Sequence, residues 1–150
     1  MPRKPTHADA QLTLQLYDLR RESEMRKARN FMILQFNPES AEDVLKLMRS
    51  FGSQENAWFR QVIGYWEMAA AMVNLGVLHV DLFYASTGEP YLIYSKIAPY
   101  LARVRAEETP TFMQNLEKAV HGSKAGRARL ETMKKRLATW AKTRAEAKNS

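Results

Sequence analysis

The sequence predicts an all-α fold: a single-domain bundle of six or seven helices around a buried central helix, with a basic C-terminal helix appended. Three observations lead there. Apolar residues recur at helical spacing in nearly every segment, Ser, Asn-Pro and Thr-Pro sites punctuate them as helix starts, and the one strand-like run, FMILQF, has no second strand to pair with.

The organising segment is 57–75, AWFRQVIGYWEMAAAMVNL. Trp58, Val62, Trp66, Ala69 and Val73 line one side of this helix, and Phe59, Ile63, Ala70 and Leu75 widen that side almost around the circumference. One stripe breaks the pattern. Arg60, Gly64, Glu67, Ala71 and Asn74 recur at spacings of 4, 3, 4 and 3, which puts the polar and the smallest residues on one face. Three readings of that stripe stand open: a solvent-facing strip, a close crossing helix whose arginine pairs with Glu67, or a ligand or catalytic groove. For the second reading, Arg103 and Arg105 at the end of another helical stripe are the expected partners.

The remaining elements follow in chain order. Residues 1–5, MPRKP, are expected to be loose. Thr6 is an N-cap with Asp9 in the first turn, and Leu12, Leu16 and Leu19, then Met25, Ala28, Met32 and Phe36, predict one long helix or two with a bend. Glu22 and Arg26 are spaced as a solvated i, i+4 pair. Asn37-Pro38 signals the next start, for a helix burying Ala41, Val44, Leu45, Met48 and Phe51 and stopping at Gly52. Ser53 caps the central helix, which ends near Gly76; Asp81 then caps a short turn carrying Leu82 and Phe83. Glu89-Pro90 opens a helix through Ile97, Leu101 and Val104, with Pro99 expected to break it locally. Thr109-Pro110 starts a helix with Phe112, Met113, Leu116 and Val120 buried, and HGSKAGR reads as a linker. Leu130, Met133, Leu137 and Trp140 form a narrow apolar seam on the last helix. The organisation expected is a flexible 1–5, a helical domain 6–121 and a basic amphipathic helix 122–150.

Charge is unevenly distributed. Residues 1–121 hold 14 Lys and Arg against 14 Asp and Glu, and residues 122–150 hold 9 against 2, so the whole net charge of +7 lies in the tail. Lys124, Arg127, Arg129, Lys134, Lys135, Arg136, Lys142, Arg144 and Lys148 carry it. Such a helix can neutralise phosphates, lie on an anionic membrane, dock in a partner's groove, or simply pack by its seam with its charges solvated. The absence of cysteine excludes a disulfide framework and a cysteine nucleophile, and with the absence of an apolar run after the basic start points to a cytoplasmic chain. No segment is expected to span a membrane, since the best candidate contains Glu67, Asn74 and His79.

Catalytic and metal signals are weak. His79-x-Asp81 supplies two ligand types but two ligands are not a site, and His7 and His121 have no i, i+4 partner, so no metal and no cofactor is expected. GSKAGR lacks the ending of a phosphate loop, and no nucleophile-elbow pattern occurs. Tyr84, Tyr91, Tyr94 and Tyr100 are read as core and rim aromatics, or as the wall of a pocket.

Between about Arg29 and Leu116, the YWEMAAAMVNLGVLHVDLF block and the later APYLARVR block resemble a bacterial family of helical domains of unknown function. The resemblance marks Glu67, Gly76, Asp81 and Arg105, implies a helical fold and assigns no activity.

The function expected from these features is a non-enzymatic helical interaction domain, self-associating as a homo-oligomer or binding a protein. One alternative is nucleic-acid or other polyanion binding through the basic helix. Another is an enzyme using Glu67 as general base with Arg105 holding an anionic substrate.

Overall fold

Helix α4, Gln54–Asn74, is the element the others pack around. Its neighbours are the helices Ser23–Asn30, Ala41–Arg49, Val80–Ser86 and Gln114–His121, and Phe59, Val62, Ile63, Trp66, Ala69 and Ala70 on it are buried. The computed structural model describes residues 3–150; it is a single all-helical domain with no strand among those residues. None of its helices is long and apolar enough to cross a membrane.

The N-terminal third is divided more finely than the sequence periodicity suggests. α1, His7–Arg20, starts at a capping box in which the Thr6 hydroxyl accepts the Asp9 amide and Asp9 reaches back to Thr6. A short break follows, and α2, Ser23–Asn30, starts where the Glu22 carboxylate accepts the amides of Glu24 and Met25. Of the two expectations, the bent pair of helices is the one found. Glu22 does not pair with Arg26, because capping occupies its carboxylate. A wide π turn, Phe31–Gln35, ends the segment FMILQF as helix rather than strand.

α3, Ala41–Arg49, starts later than Asn37-Pro38 suggests. Ser40 is the cap, in a second capping box with Asp43, and the Asn37 side chain instead donates to Leu34 O. Phe51, expected in the core, is 81% exposed, because the helix has ended and the chain turns through Gly52 at φ +87. Ser53 caps α4 as expected, accepting the Asn56 amide at 3.1 Å. Gly76, with φ +76, ends it.

α5, Val80–Ser86, is capped by His79, whose Nδ1 accepts the Asp81 amide at 3.1 Å. The expected cap, Asp81, therefore lies in the first turn. α6, Glu89–Ile97, opens at Glu89-Pro90 and is broken at Pro99 by a 3-10 turn, Ala98–Tyr100, before α7, Leu101–Glu107. Thr109-Pro110 opens a series of turns rather than a helix. α8, Gln114–His121, begins after Met113, whose φ of 58 is left-handed. The expected linker is almost absent: Ser123 caps α9, Lys124–Lys148, by accepting the Gly126 amide. Gly126, Leu130 and Met133 on α9 are buried against the body, where α9 packs on α6 and α8.

Candidate functional site

Glu67, the most unusual residue of the sequence stripe, is held by the backbone of the crossing helix α8. Its Oε1 accepts the Leu116 amide at 2.6 Å, and its Oε2 accepts the Asn115 amide at 3.3 Å and the Asn115 side-chain amide at 3.2 Å. Met113 has no polar side chain to cap α8, so a carboxylate from α4 meets the unpaired N–H groups and the positive end of the helix dipole. Asn74, lower on the stripe, donates to Asn115 O at 3.0 Å. Close packing does not explain the glycine of the stripe: Gly64 is exposed, and a Cβ placed there would meet nothing within 4 Å.

The expected pairing of Glu67 with an arginine is corrected by these contacts. Arg105 donates to Phe112 O at 3.0 Å and pairs with Glu117 at 3.2 Å. Arg103 pairs with Glu107 at 2.8 Å and with Glu42. Arg60, exposed at the far end of the stripe, donates to Asn56 Oδ1 at 3.0 Å. The stripe therefore brings Glu67 and Asn74 together on α8 and leaves Arg60 apart, and all three of Glu67's donors belong to the fold.

Two acidic residues that read in the sequence only as first-turn positions, Asp9 and Glu89, are buried against arginines. Asp9, 1% exposed, accepts a bidentate bond from Arg3 at 2.6 and 2.7 Å and the His79 amide at 2.9 Å. The Arg3 guanidinium, followed by the amides around it, holds the Asp9 carboxyl well below the usual carboxylate range. Arg3, expected in a loose terminus, also donates to Gly76 O at 3.0 Å, so it ties the chain start to the α4–α5 connection. His79 uses both ring nitrogens here, one as the α5 cap and one against Arg3 O. No group of three or more His, Asp and Glu among the described residues is placed to hold a metal ion.

The second is Glu89, which accepts from Arg29 Nε at 3.0 Å on both oxygens and lies 3.9 Å from Arg20. Burial pushes its carboxyl up, against the downward pull of Arg29 and then Arg20. Arg20 in turn lies over the Trp66 ring, 5.3 Å from its centroid.

The C-terminal helix divides into two halves with different surroundings. In its first half, Arg129 reaches between Tyr84 and Tyr91, 5.4 and 5.5 Å from their ring centroids, and donates to Tyr84 O. Arg127 donates to His121 O at 2.7 Å, and Lys134 pairs with Glu131 at 3.1 Å. In the second half, Arg136 lies over Trp140, which is 39% exposed, and every residue from 141 to 150 is exposed. Lys124, Lys135, Lys142, Arg144 and Lys148 make no ion pair among the described residues.

That second half forms one wall of a cleft of about 680 Å³. The opposite wall is the 37–39 loop, α6 and the break at Pro99, contributing Pro38, Glu39, Ser95, Lys96 and Tyr100. Lys96 is buried and donates to Met32, Ile33 and Phe36 carbonyls at 2.9, 2.7 and 2.8 Å, closing the end of the π turn. Burial pushes its ammonium down to about 8, and the charge of Arg144 pushes in the same direction. With its three donors taken by carbonyls, Lys96 is a fixed charge rather than a nucleophile. Ser95, 6% exposed, has a hydroxyl with no hydrogen-bond partner among the described residues. Tyr100 donates to Pro38 O at 3.2 Å, while the other tyrosines serve packing: Tyr94 donates to Glu117 at 3.1 Å, and Tyr84 and Tyr91 flank Arg129.

Residues 5–122 match the family described as Domain of unknown function (DUF4760). The chain belongs to the DUF4760 family. No curated protein and no solved structure matches it. The DUF4760 match ends at residue 122, immediately before α9, so the family region contains Glu67, Asp9 and Glu89, whereas the basic helix and one wall of the cleft lie outside it.

Proposed function

We propose that this DUF4760 chain is a non-enzymatic binding domain that engages nucleic acid through the exposed half of α9. The division supported by this reading is a neutral helical body that positions a basic helix beginning at about residue 122. One observation carries it: the body balances its own charges, while Lys135, Lys142, Arg144 and Lys148 stand unpaired on a helix half in which residues 141–150 are all exposed. Cations so placed keep their hydration until phosphates displace it, and phosphate neutralisation releases counterions, which supplies affinity without sequence reading. Arg127, Arg129 and Lys134 are already engaged and serve to dock or stiffen the helix. The enzyme reading loses support at Glu67, whose carboxylate is held by three N–H donors of α8 as that helix's cap.

The test is a salt titration of duplex DNA binding by the full chain and by a Lys135→Gln/Lys142→Gln variant. Each lost phosphate contact reduces the slope of log K against log salt by about 0.9. A double variant with unchanged affinity and slope would overturn the reading.

Self-association is a second reading, favoured by a separate observation. Met68, in the last third of α4, and Leu75 and Val77, just beyond it, are large apolar residues that are 42%, 80% and 60% exposed. Mass by light scattering that rises with concentration, and stays monomeric in Leu75→Lys, would support it; a monomer at all concentrations would remove it.

A further inference from the structure

The cleft between α6 and α9 has a composition that packing alone does not explain. Leu130, Leu137 and Arg144 follow one another at intervals of seven residues, so they share the inward face of α9. In the first half that face is Gly126, Leu130 and Met133, buried against the body. In the second half the same face carries Leu137, Ala138, Ala141 and Ala145 with two cations, Arg144 and Lys148, among them, and it lines a cleft of about 680 Å³ between the helix and the body. Docking by an apolar seam accounts for Leu137 and the alanines but not for Arg144 and Lys148 on the same face.

The charges around the cleft are also unbalanced. Lys96, Arg144 and Lys148 line it against a single carboxylate, Glu39, and Arg144 is close enough to Lys96 to act on its ionisation. Ser95 adds a buried hydroxyl on the same wall with no partner of its own. Pro38, Pro99 and Tyr100 give the cleft an apolar and aromatic side. Its volume falls within the range that accommodates a small organic ligand, about 300 to 1,000 Å³.

We propose that this cleft binds a small phosphomonoester, with the phosphate between Arg144 and Lys148 near Ser95 and the organic part against Pro38, Pro99 and Tyr100. A phosphomonoester carries a charge of about −1.5 to −2 at neutral pH, which balances three cations less one carboxylate, whereas a single carboxylate would leave an excess. Arg144 and Lys148, one turn apart on α9, supply several N–H donors, which suits several phosphate oxygens. The inference shares Arg144 and Lys148 with the nucleic-acid reading, and the two are told apart by Lys135 and Lys142, which do not line the cleft.

The test is calorimetry of the full chain with adenosine 5′-monophosphate, inorganic phosphate and adenosine as probes. The monophosphate is expected to bind with a stoichiometry of one, more tightly than phosphate, with adenosine giving no saturable heat. Arg144→Gln and Lys148→Gln, both at exposed positions on the helix, are each expected to weaken it about tenfold, as removal of a charge-assisted contact does. Lys135→Gln/Lys142→Gln is expected to leave it unchanged, so that failure here and failure of the nucleic-acid reading are told apart. Absence of monophosphate binding at millimolar concentration, equal binding of free phosphate, or indifference to Arg144→Gln would each overturn the proposal.

Discussion

The Glu67 carboxylate accepts the Leu116 amide at 2.6 Å, so a side chain in the middle of α4 caps the start of α8. Capping across two helices does in three dimensions what Ser40 does for α3 within one segment. Because Glu67 is half-buried, water can partly replace it at the amides. Glu67→Ala should therefore lower stability by about 1 to 2 kcal/mol, the range for a lost cap and its dipole interaction. Glu67→Gln, which keeps an acceptor, should lose about half of that. Urea unfolding measures both, and equal losses in the two variants would argue against a capping role.

A larger effect belongs to Glu89. Its side chain is buried between Arg29 and Arg20, and Arg20 itself is only 12% exposed at its side chain. Removing the carboxylate leaves two guanidinium groups without their counter-ion in a partly desolvated place. Glu89→Ala should cost about 3 to 5 kcal/mol, the penalty for breaking a buried pair from one side. Replacing both Glu89 and Arg29 with apolar residues should cost less than Glu89→Ala alone, a non-additivity that a double-mutant cycle reads directly.

The contrast between these two glutamates explains how much was legible in the sequence. A carboxylate inside an apolar helix stands out as a break in periodicity, as Glu67 does, whereas its backbone-amide partners leave no mark in a sequence. Glu89 reads in the sequence only as part of the Glu89-Pro90 helix start, since a glutamate in a first turn has an ordinary role in compensating the dipole, and nothing local marks its burial between two arginines. Helix identity and most buried faces could be read from spacing, as at Leu116 and Val120 or Leu130 and Met133, because burial repeats with the helical period. Starts at Asn37 and Thr109 could not, because Ser40 with Asp43, and Glu67 from another helix, offered the amides better partners. The basic tail was visible as composition, yet its inward cationic face over the cleft depended on where the body stops, which no local pattern records.

The clasp at Asp9 predicts a pH dependence. Arg3 and the surrounding amides lower its folded-state pKa below the unfolded value of about 3.9. The folded state thus binds fewer protons than the unfolded one through that range, and the clasp stabilises fully above about pH 5 and is lost as pH falls below about 4. Asp9→Asn should reduce the thermal midpoint at pH 7, and the gap from the parent chain should narrow progressively toward pH 2. A gap that stays constant with pH would show that the ionised carboxylate is not what joins Arg3 to the α4–α5 connection.

At Gly126 two effects of opposite sign meet. Glycine within a helix is less favourable than alanine by about 0.8 to 1 kcal/mol, so Gly126→Ala taken alone should strengthen α9. A Cβ there would, however, stand 3.0 Å from Val120 O, 3.0 Å from the Ser123 hydroxyl and 3.3 Å from the Tyr91 hydroxyl. The Ser123 hydroxyl could move only by giving up its cap on the Gly126 amide, the Tyr91 oxygen is fixed by a buried ring, and the Val120 carbonyl belongs to α8 and cannot retreat without moving that helix. Overpacking of this kind costs about 1 to 3 kcal/mol, so the clash should win and the substitution should destabilise by up to about 2 kcal/mol. The same displacement would shift Leu130 and Met133 off the body and move the wall of the cleft. Gly126→Ala should therefore also raise hydrogen exchange in α9 ahead of α4; a stabilised protein with unchanged exchange would mean that α8 and α9 are packed less closely than the described contacts require.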